Sequence, residues 1–226
     1  MRLGVLFSGG KDSFYAMHKA MMEHEVVCLI TIVSKNKESY MFHTPNISIT
    51  SLQAEAVGLP LICEETAGVK EEELADLKRA IKRAVDEYSI GGLVTGAIAS
   101  VYQSKRIKNI CSELGIECVN PLWGMDQVKL LEEVLENGFK VIISSVSAYS
   151  LDEKWLGRPI DEGLIKDLVK LRDKYAINPS GEGGEIETTV LDGPLFSKRI
   201  EVLESEVLHK GYSGVYVIKK AGLADR

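Results

Sequence analysis

Two short stretches of this 226-residue chain combine glycines with polar and charged side chains in patterns that suit phosphate and cation chemistry. The first, SGGKDS at residues 8–13, is called the phosphate loop below. The second, GEGGEIET at residues 181–188, is called the glutamate stretch. They lie far apart along the chain, so a site that uses both requires a fold that brings them together.

The phosphate loop follows an apolar run at residues 3–7, which is typical of a buried strand, and precedes an amphipathic segment. Its two glycines permit backbone conformations closed to other residues, so the turn can present N–H groups and a helix N-terminus to an anion. A Walker A loop would need glycine in place of Val5 and Ser or Thr in place of Asp12. We therefore predict a phosphate-binding loop outside the Walker class. The alternative is a turn without a ligand, which would require neither both serines nor the aspartate.

The glutamate stretch has three glycines and three glutamates within residues 181–187. On extended chain, Glu185 and Glu187 would point to one side and Ile186 to the other. Together with Glu182 they could bind magnesium, ammonium or a cationic substrate, because these cations all seek carboxylate oxygen. A solvated acidic turn is the alternative, and the composition alone leaves both open.

A third set of polar residues falls on one helix. Tyr102, Gln103 and Arg106 lie within one helical turn of each other and off the apolar stripe of the predicted helix 99–114. A solvated polar face is the alternative. The helix follows a predicted strand directly, however, and ligands of open parallel sheets gather at the carboxyl ends of strands.

Composition and charge narrow the function classes. The chain is 45% hydrophobic, and it has no run near the roughly 18 apolar residues of a spanning helix. A net charge of -6 argues against a large nucleic-acid footprint, and we interpret the basic cluster at residues 78–83 as a solvated helix face. The four cysteines form no CxxC pair, which disfavours a zinc site or a disulfide framework. The N-terminus has no targeting pattern, so we expect a cytoplasmic protein. The absence of a spanning segment and the negative charge predict that it contacts neither membrane nor nucleic acid directly.

Strand and helix patterns alternate in the first half and predict an α/β fold with a parallel, Rossmann-like sheet. The predicted strands are residues 3–7, 26–33, 59–63, 91–96 and 116–119. The predicted helices are a segment whose stripe includes Phe14, Met17 and Met21, then 70–88, 99–114 with Val101 on its core side, and a helix through Val57 capped by Asn46 or Ser48.

The pattern changes near Pro121-Leu122-Trp123-Gly124, where we place the boundary between domains 1–122 and 123–226. Helices are predicted at 127–135 and 161–175, and strands at 139–146, 199–209 and 214–219. A glycine turn at 211–214 indicates that the last two strands form an antiparallel pair. The second domain is thus a smaller α/β domain.

The phosphate loop resembles the SGGxDS signature of the PP-loop (N-type) ATP pyrophosphatases, which cleave ATP to AMP and pyrophosphate. Further blocks extend the resemblance over nearly the whole chain, to the diphthine–ammonia ligases within that superfamily. These blocks are Met41-Phe42-His43-Thr44-Pro45, Gly96-Ala97-Ile98 with Tyr102, Gln103 and Arg106, the glutamate stretch, and Leu191-Asp192-Gly193-Pro194-Leu195-Phe196. The resemblance implies an N-terminal HUP-type nucleotide-binding domain followed by a smaller family-specific domain, in the short archaeal form.

The resemblance also implies an activity. Diphthine, a modified histidine on translation elongation factor two, would be activated with ATP as an acyl-adenylate and amidated by free ammonium, with Mg2+ present. Another PP-loop adenylating ligase, a tRNA-modifying enzyme and a non-catalytic ATP-binding module are the alternatives. The elongation factor and ammonium are the expected partners, and a homodimer is allowed for.

The residue roles implied by the resemblance fall into three groups. Nucleotide binding is assigned to Ser8, Gly9, Gly10, Lys11, Asp12, Ser13, His43, Gly96 and Ala97, with Asp12 as the magnesium ligand. Catalysis is assigned to Lys11, Asp12, Arg106, Glu182 and Glu185. Substrate binding is assigned to Tyr102, Gln103, Arg106, Gly181, Glu182, Gly183, Gly184, Glu185 and Glu187.

Overall fold

A computed structural model of the protein describes residues 1–36, 45–69 and 71–226. The strands of these residues are β1 (Arg2–Leu6), β2 (Glu25–Ser34), β3 (Leu61–Thr66), β4 (Gly92–Val94), β5 (Glu117–Val119), β6 (Lys140–Ser147), β7 (Ile186–Asp192), β8 (Arg199–Lys210) and β9 (Ser213–Ala224). The α-helices are α1 (Lys11–Met21), α2 (Thr50–Val57), α3 (Glu73–Tyr88), α4 (Val101–Glu113), α5 (Gln127–Glu136) and α6 (Glu162–Tyr175).

The first five strands form one parallel sheet in the order β3-β2-β1-β4-β5. Parallel neighbours need crossover connections, which the intervening helices supply. The predicted α/β fold with a Rossmann-like parallel sheet is therefore confirmed. The strand order reverses between β1 and β4, and open α/β sheets bind ligands in the crevice beyond the carboxyl ends of such strands.

The two faces of this sheet bury different partners. On one face, α3 and α4 pack through Leu77, Ile81 and Ile107 against the first sheet. On the other face, Phe14 of α1 stacks on Phe196, with ring centroids 5.1 Å apart, within a core that continues to the second sheet. A single apolar core thus joins the two halves of the chain.

The second sheet is antiparallel, with the order β7-β6-β9-β8. The predicted pairing of its last two strands is confirmed, although β9 extends beyond the predicted end to Ala224. β7 is an edge strand that the sequence predicted only as extended chain near Glu185 and Glu187. Its pattern of threonines next to a glycine-rich turn carries little apolar alternation, which is the usual signal of a strand.

The predicted capping of α2 is wrong. A short 3-10 helix, Ile47–Ile49, precedes α2, and neither Asn46 nor Ser48 caps the α-helix. The Asn46 side chain instead donates to the carbonyl of Tyr216 at 2.9 Å and accepts from the N–H of Ile218 at 2.8 Å. An asparagine amide offers one donor group and one acceptor, as a peptide unit does, so Asn46 bonds to β9 in the manner of a neighbouring strand.

Two predicted core positions face solvent. Val101 is 67% exposed and Met21 is 39% exposed. Each residue lies at the end of its helix, Val101 as the first residue of α4 and Met21 as the last of α1. Apolar spacing predicted the buried stripe of each helix but not the exposure of the residue at its end.

The basic cluster on α3 is paired with nearby carboxylates. Lys78 contacts Glu113 at 2.6 Å, and Lys82 contacts Asp86 at 2.7 Å. Arg79 bridges two further acids, and Arg83 contacts Glu87. The interpretation as a solvated helix face is confirmed.

In the described part of the chain, no helix has both the length and the apolar character to cross a membrane.

The side-chain bonds of Asn46 to β9 generate a stability prediction. We expect Asn46→Ala to lower the free energy of unfolding by about 1 to 3 kcal/mol, because two backbone groups of β9 lose their partner. Urea denaturation measures this change. Ser48→Ala, at an exposed position of the same segment, is the matched control and should stay within about 0.5 kcal/mol of the parent protein. Equal stability of the two variants would contradict the prediction.

Candidate active site

The phosphate loop lies at the carboxyl end of β1, beside the residues that follow β4. Gly96 touches it closely: a Cβ at Gly96 would lie 2.8 Å from the carbonyl carbon of Asp12 and 2.9 Å from the nitrogen of Ser13. Only glycine permits this approach. The structure therefore brings Gly96 to the phosphate loop, at the edge where parallel sheets bind ligands.

The two serines of the loop hold its shape. Ser13 donates from its hydroxyl to the carbonyl of Gly10 at 3.0 Å, and Ser8 donates to Ser13 at 3.3 Å. Gly10 is the N-cap residue of α1, and it has no side chain with which to cap the helix. The start of α1 is thus suited to an anion, because its first N–H groups carry the positive end of the helix dipole.

The phosphate loop lies along the free edge of β7. The N–H of Lys11 donates to Thr188 Oγ1 at 3.1 Å, and the N–H of Val190 donates to the carbonyl of Gly9 at 3.0 Å. Gly10 packs so closely that an added Cβ would lie 3.1 Å from the carbonyl oxygen of Thr188. We call these contacts the loop–β7 seam. Since β7 continues the glutamate stretch, the seam unites the two stretches that the sequence singled out.

Lys11 is a buried cation between the two stretches. Its side chain is 3% exposed, and its Nζ lies 3.0 Å from Asp12 Oδ2. The same ammonium group donates to the carbonyl of Ser180, next to the glutamate stretch. Asp12 is partly exposed, and its other oxygen, Oδ1, is buried with no hydrogen-bond partner among the described residues.

Glu182 reaches back to the first domain. Its Oε1 accepts from the N–H groups of Ala99 at 2.9 Å and Ser100 at 2.8 Å, at the start of α4. Burial raises the pKa of Glu182 and the charge of Asp12 adds to this, whereas the two N–H groups oppose the rise. The carboxylate therefore occupies the anion-favouring end of a helix and ties the glutamate stretch to the residues after β4.

Glu185 is held by one neighbouring residue. Its Oε1 accepts from the backbone N–H of Asn178 at 3.2 Å and from the Asn178 side chain at 2.9 Å. Gln127 in turn accepts from the backbone N–H and the hydroxyl of Ser180, at 3.1 and 2.9 Å. Glu185 Oε2 is buried and has no partner among the described residues.

Glu187 differs from the other two glutamates because none of the described hydrogen bonds holds its carboxylate. Its Oε2 is buried and lacks a partner among the described residues. Burial raises the pKa of Glu187 to about 7, although the nearby Lys11 ammonium lowers it in part. Ile186, between the two glutamates, is 4% exposed and belongs to the core, as the extended-chain prediction required. Glu187 is thus a carboxyl group that can change protonation near neutral pH.

Tyr102 and Arg106 share one face of α4, as predicted. The guanidinium of Arg106 lies 3.5 Å from the centroid of the Tyr102 ring. Both side chains bond to Glu71, at 3.0 Å from the Tyr102 hydroxyl and 2.5 Å from Arg106. The N–H of Gln103 donates to the hydroxyl of Ser100, the N-cap of α4, so its backbone belongs to the start of the helix. This face of α4 therefore meets the chain segment that follows β3.

Other predicted residues have simpler outcomes. Ala97 is buried directly after Gly96. His43 and its neighbours Met41, Phe42 and Thr44 lie outside the described residues. The residues that sequence reasoning missed are Thr188, Ser180 and Gln53. Gln53 carries no local signal of a special role, because the same helix also contains the exposed polar residue Glu55.

The site can supply magnesium with few protein ligands, so the ion would have to be shared between Asp12 and the bound nucleotide. The described residues hold no group of three or more His, Cys, Asp and Glu side chains that could bind a metal ion. Asp12 Oδ1 is nevertheless a buried oxygen that no described residue bonds to. Mg2+ commonly takes one or two carboxylates and completes its shell with waters and substrate phosphates, so Asp12 fits such a role.

Solved structures resemble this chain only distantly. A predicted subunit of a tRNA methyltransferase from Methanocaldococcus jannaschii is 20% identical with a TM-score of 0.45, covering 86% of this chain and 98% of that one. A 4-thiouridine synthetase, solved in complex with RNA and ATP, is also 20% identical with a TM-score of 0.45, covering 61% and 40%. The fold assignment depends on the strand order described above and not on these likenesses.

Curated relatives and family profiles resemble the chain more closely. The diphthine–ammonia ligase of Schizosaccharomyces pombe is 36% identical over 244 residues, covering all of this chain but 40% of that protein. The Bos taurus ligase is 36% identical over 228 residues, covering 92% of this chain and 85% of that protein. Residues 1–118 match the diphthamide synthase N-terminal domain, and residues 126–224 match the diphthamide synthase C-terminal domain. On these matches, the chain belongs to the diphthamide synthase family.

Proposed function

We propose that this protein is an ATP-dependent ligase that amidates diphthine on translation elongation factor two, with ammonium as the nitrogen source. The family assignment supports the substrate. The observation that carries the proposal is the hydrogen bond from the Lys11 N–H to Thr188 Oγ1, because it joins the phosphate loop to the strand that bears Glu187. One site then holds both the nucleotide and the proton acceptor.

The reaction needs two successive displacements. A diphthine carboxylate oxygen attacks the α-phosphorus of ATP, the bond to the β-phosphate breaks, and pyrophosphate leaves toward the phosphate loop. Ammonia then attacks the carbonyl carbon of the acyl-adenylate, and AMP leaves. Adenylation is required because a free carboxylate is a poor electrophile, whereas the mixed anhydride has a good leaving group.

The phosphate loop would stabilise the negative charge of the departing pyrophosphate. The start of α1 contributes its dipole, and the buried ammonium of Lys11 contributes a full charge in a site of low dielectric. Asp12 would hold Mg2+ through Oδ1, and the ion when bound would screen the charge of the phosphates. Arg106 would stabilise the α-phosphate only after it exchanges its contact with Glu71 for the nucleotide.

The three glutamates then take different roles. Glu182 secures the glutamate stretch on the start of α4, and Glu185 is fixed by Asn178 with one oxygen left over. Glu187, with a pKa of about 7, would accept the proton that ammonium must lose before it attacks. Gly183 packs against Glu185, since an added Cβ would lie 2.6 Å from Oε2 of that carboxylate, whereas Gly184 has open space beside it that the diphthine side chain would use.

The proposed reaction is tested by its products. We expect the protein to convert diphthine-bearing elongation factor two to the amide with ATP and ammonium, and to release AMP and pyrophosphate. Mass spectrometry of the factor and the nucleotides measures both products. Formation of ADP, or amidation with glutamine as the only nitrogen source, would contradict the proposal. ATP binding without turnover in the presence of the factor would favour a non-catalytic module.

The proposed magnesium ligand is tested with Asp12→Asn. We expect the variant to need at least about tenfold more Mg2+ for half-maximal pyrophosphate release, because an amide oxygen is a weaker ligand than a carboxylate. A magnesium titration of pyrophosphate release measures the shift. An unchanged magnesium requirement with reduced activity would instead limit Asp12 to its contact with Lys11.

The proposed proton acceptor is tested with Glu187→Gln. We expect the ammonium-dependent rate to fall by about 10² to 10⁴, with ATP binding retained. In the parent protein the rate should rise from about pH 6 to about pH 8 as Glu187 ionises, and the variant should lose this rise. Rates of amidation across this pH range, at saturating ATP, provide the measurement.

The same variant should be more stable than the parent protein at alkaline pH. The pKa of Glu187 is raised above its value in the unfolded chain, so the folded state loses stability as pH rises from the unfolded pKa through the folded one. Above about pH 8, removal of this buried charge should add about 1 to 3 kcal/mol to the free energy of unfolding. Glu162→Gln, on the exposed face of α6, is the control and should show no such gain. Equal stability of Glu187→Gln and the parent protein would indicate that the pKa of Glu187 is not raised in the folded state.

A further inference from the structure

Gln53 of α2 is a fully buried polar residue beside the phosphate loop, with 0% of its surface exposed. Its side-chain nitrogen donates to the carbonyl of Gly9 at 2.9 Å and to the carbonyl of Val190 at 2.7 Å. Both protons of the amide are therefore used, one on the phosphate loop and one on β7. Gln53 connects a third element to the loop–β7 seam.

The Gly9 carbonyl is held from two sides. It accepts from Gln53 and also from the N–H of Val190 at 3.0 Å. Gly9 has a φ of +78°, and a Cβ there would lie 2.3 Å from the side-chain oxygen of Gln53, so the contact requires glycine. In a trans peptide the C=O and the following N–H point in opposite directions. Because the carbonyl of Gly9 points to Gln53 and β7, the N–H of Gly10 points away from them.

We propose that Gln53 is a positioning residue for ATP, which aims the Gly9–Gly10 peptide so that its N–H faces the β- and γ-phosphates. The proposal rests on the proposed function, since it assumes that the phosphate loop binds the pyrophosphate part of ATP. Gln53 itself touches no ligand. It acts through the orientation of one peptide unit, and through Val190 it keeps that unit in register with the strand that carries Glu187.

The remaining oxygen of Gln53 argues for a role beyond packing. Gln53 Oε1 is buried and has no hydrogen-bond partner among the described residues. A buried oxygen without a partner lowers stability, so packing alone would favour an apolar side chain of the same length. Glutamine at this position is explained by its two N–H donors, which an apolar residue lacks.

The proposal predicts a selective loss of affinity. ATP and inorganic pyrophosphate both carry the phosphates that the loop would bind, whereas AMP lacks them. Removal of the Gln53 donors should therefore weaken the binding of ATP and of pyrophosphate and leave the binding of AMP unchanged. A general disturbance of the fold would weaken the binding of all three ligands, because AMP would occupy the same crevice of the first sheet.

The experiment compares Gln53→Met, which keeps length without donors, with the parent protein by isothermal titration calorimetry. We expect the Kd values for ATP and pyrophosphate to rise by at least about tenfold, and the Kd for AMP to change by less than about twofold. Leu52→Met, at the neighbouring position of α2, is the matched control and should bind all three ligands as the parent protein does. Circular dichroism confirms that each variant is folded.

Gln53→Glu keeps the proposal testable if the methionine variant does not fold. The carboxylate has the size of glutamine but repels both carbonyls and the phosphates, so we expect a larger loss for pyrophosphate than for AMP. Unchanged ATP affinity in a folded Gln53 variant, or an equal loss for AMP, would overturn the proposal. If the parent protein bound neither ATP nor pyrophosphate, the proposed function would fail independently of Gln53.

Discussion

The loop–β7 seam is the contact on which the rest of the site depends. A phosphate loop must leave N–H groups available to its ligand, yet every buried peptide group needs a hydrogen-bond partner. Here β7 meets the second need, because Val190 donates to the carbonyl of Gly9 and Thr188 accepts from the N–H of Lys11. The strand that supports the phosphate loop also carries Glu187, so one element holds both the loop and the proposed proton acceptor.

Buried charge is the second constraint on this site. Lys11 lies among partners that satisfy it, namely Asp12 and the carbonyl of Ser180. Glu187 lies in the same region with an oxygen that no described residue satisfies, and burial raises the pKa of this carboxyl group. Such an arrangement lowers the stability of the empty protein. It also means that a cation or proton that reaches Glu187 meets a carboxylate already in position, so the surrounding groups need not rearrange to stabilise it.

The elements near the phosphate loop could be predicted from the sequence, because local signals agree there. The apolar strand, the glycine pair and the amphipathic helix all indicate the same turn, and alternation of strands and helices predicts the parallel sheet. Contacts between distant segments could not be predicted. Asn46 is a residue type that often caps helices, yet its side chain bonds to β9. Nothing in the sequence around Gln53 indicates that its amide bonds to β7. Val101 fits the apolar spacing, but it is the first residue of α4 and faces solvent. The boundary between domains 1–122 and 123–226 stays a prediction.

The stacking of Phe14 on Phe196 bears on how separable the two halves are. Phe14 comes from the helix that begins at the phosphate loop, whereas Phe196 follows β7. Excision of the first half would expose the Phe14 face to water and leave the Gly9 carbonyl without the N–H of Val190 on β7. The first half is therefore not a separable unit, and exchange between relatives would have to transfer β7 and its aromatic neighbour together with the phosphate loop.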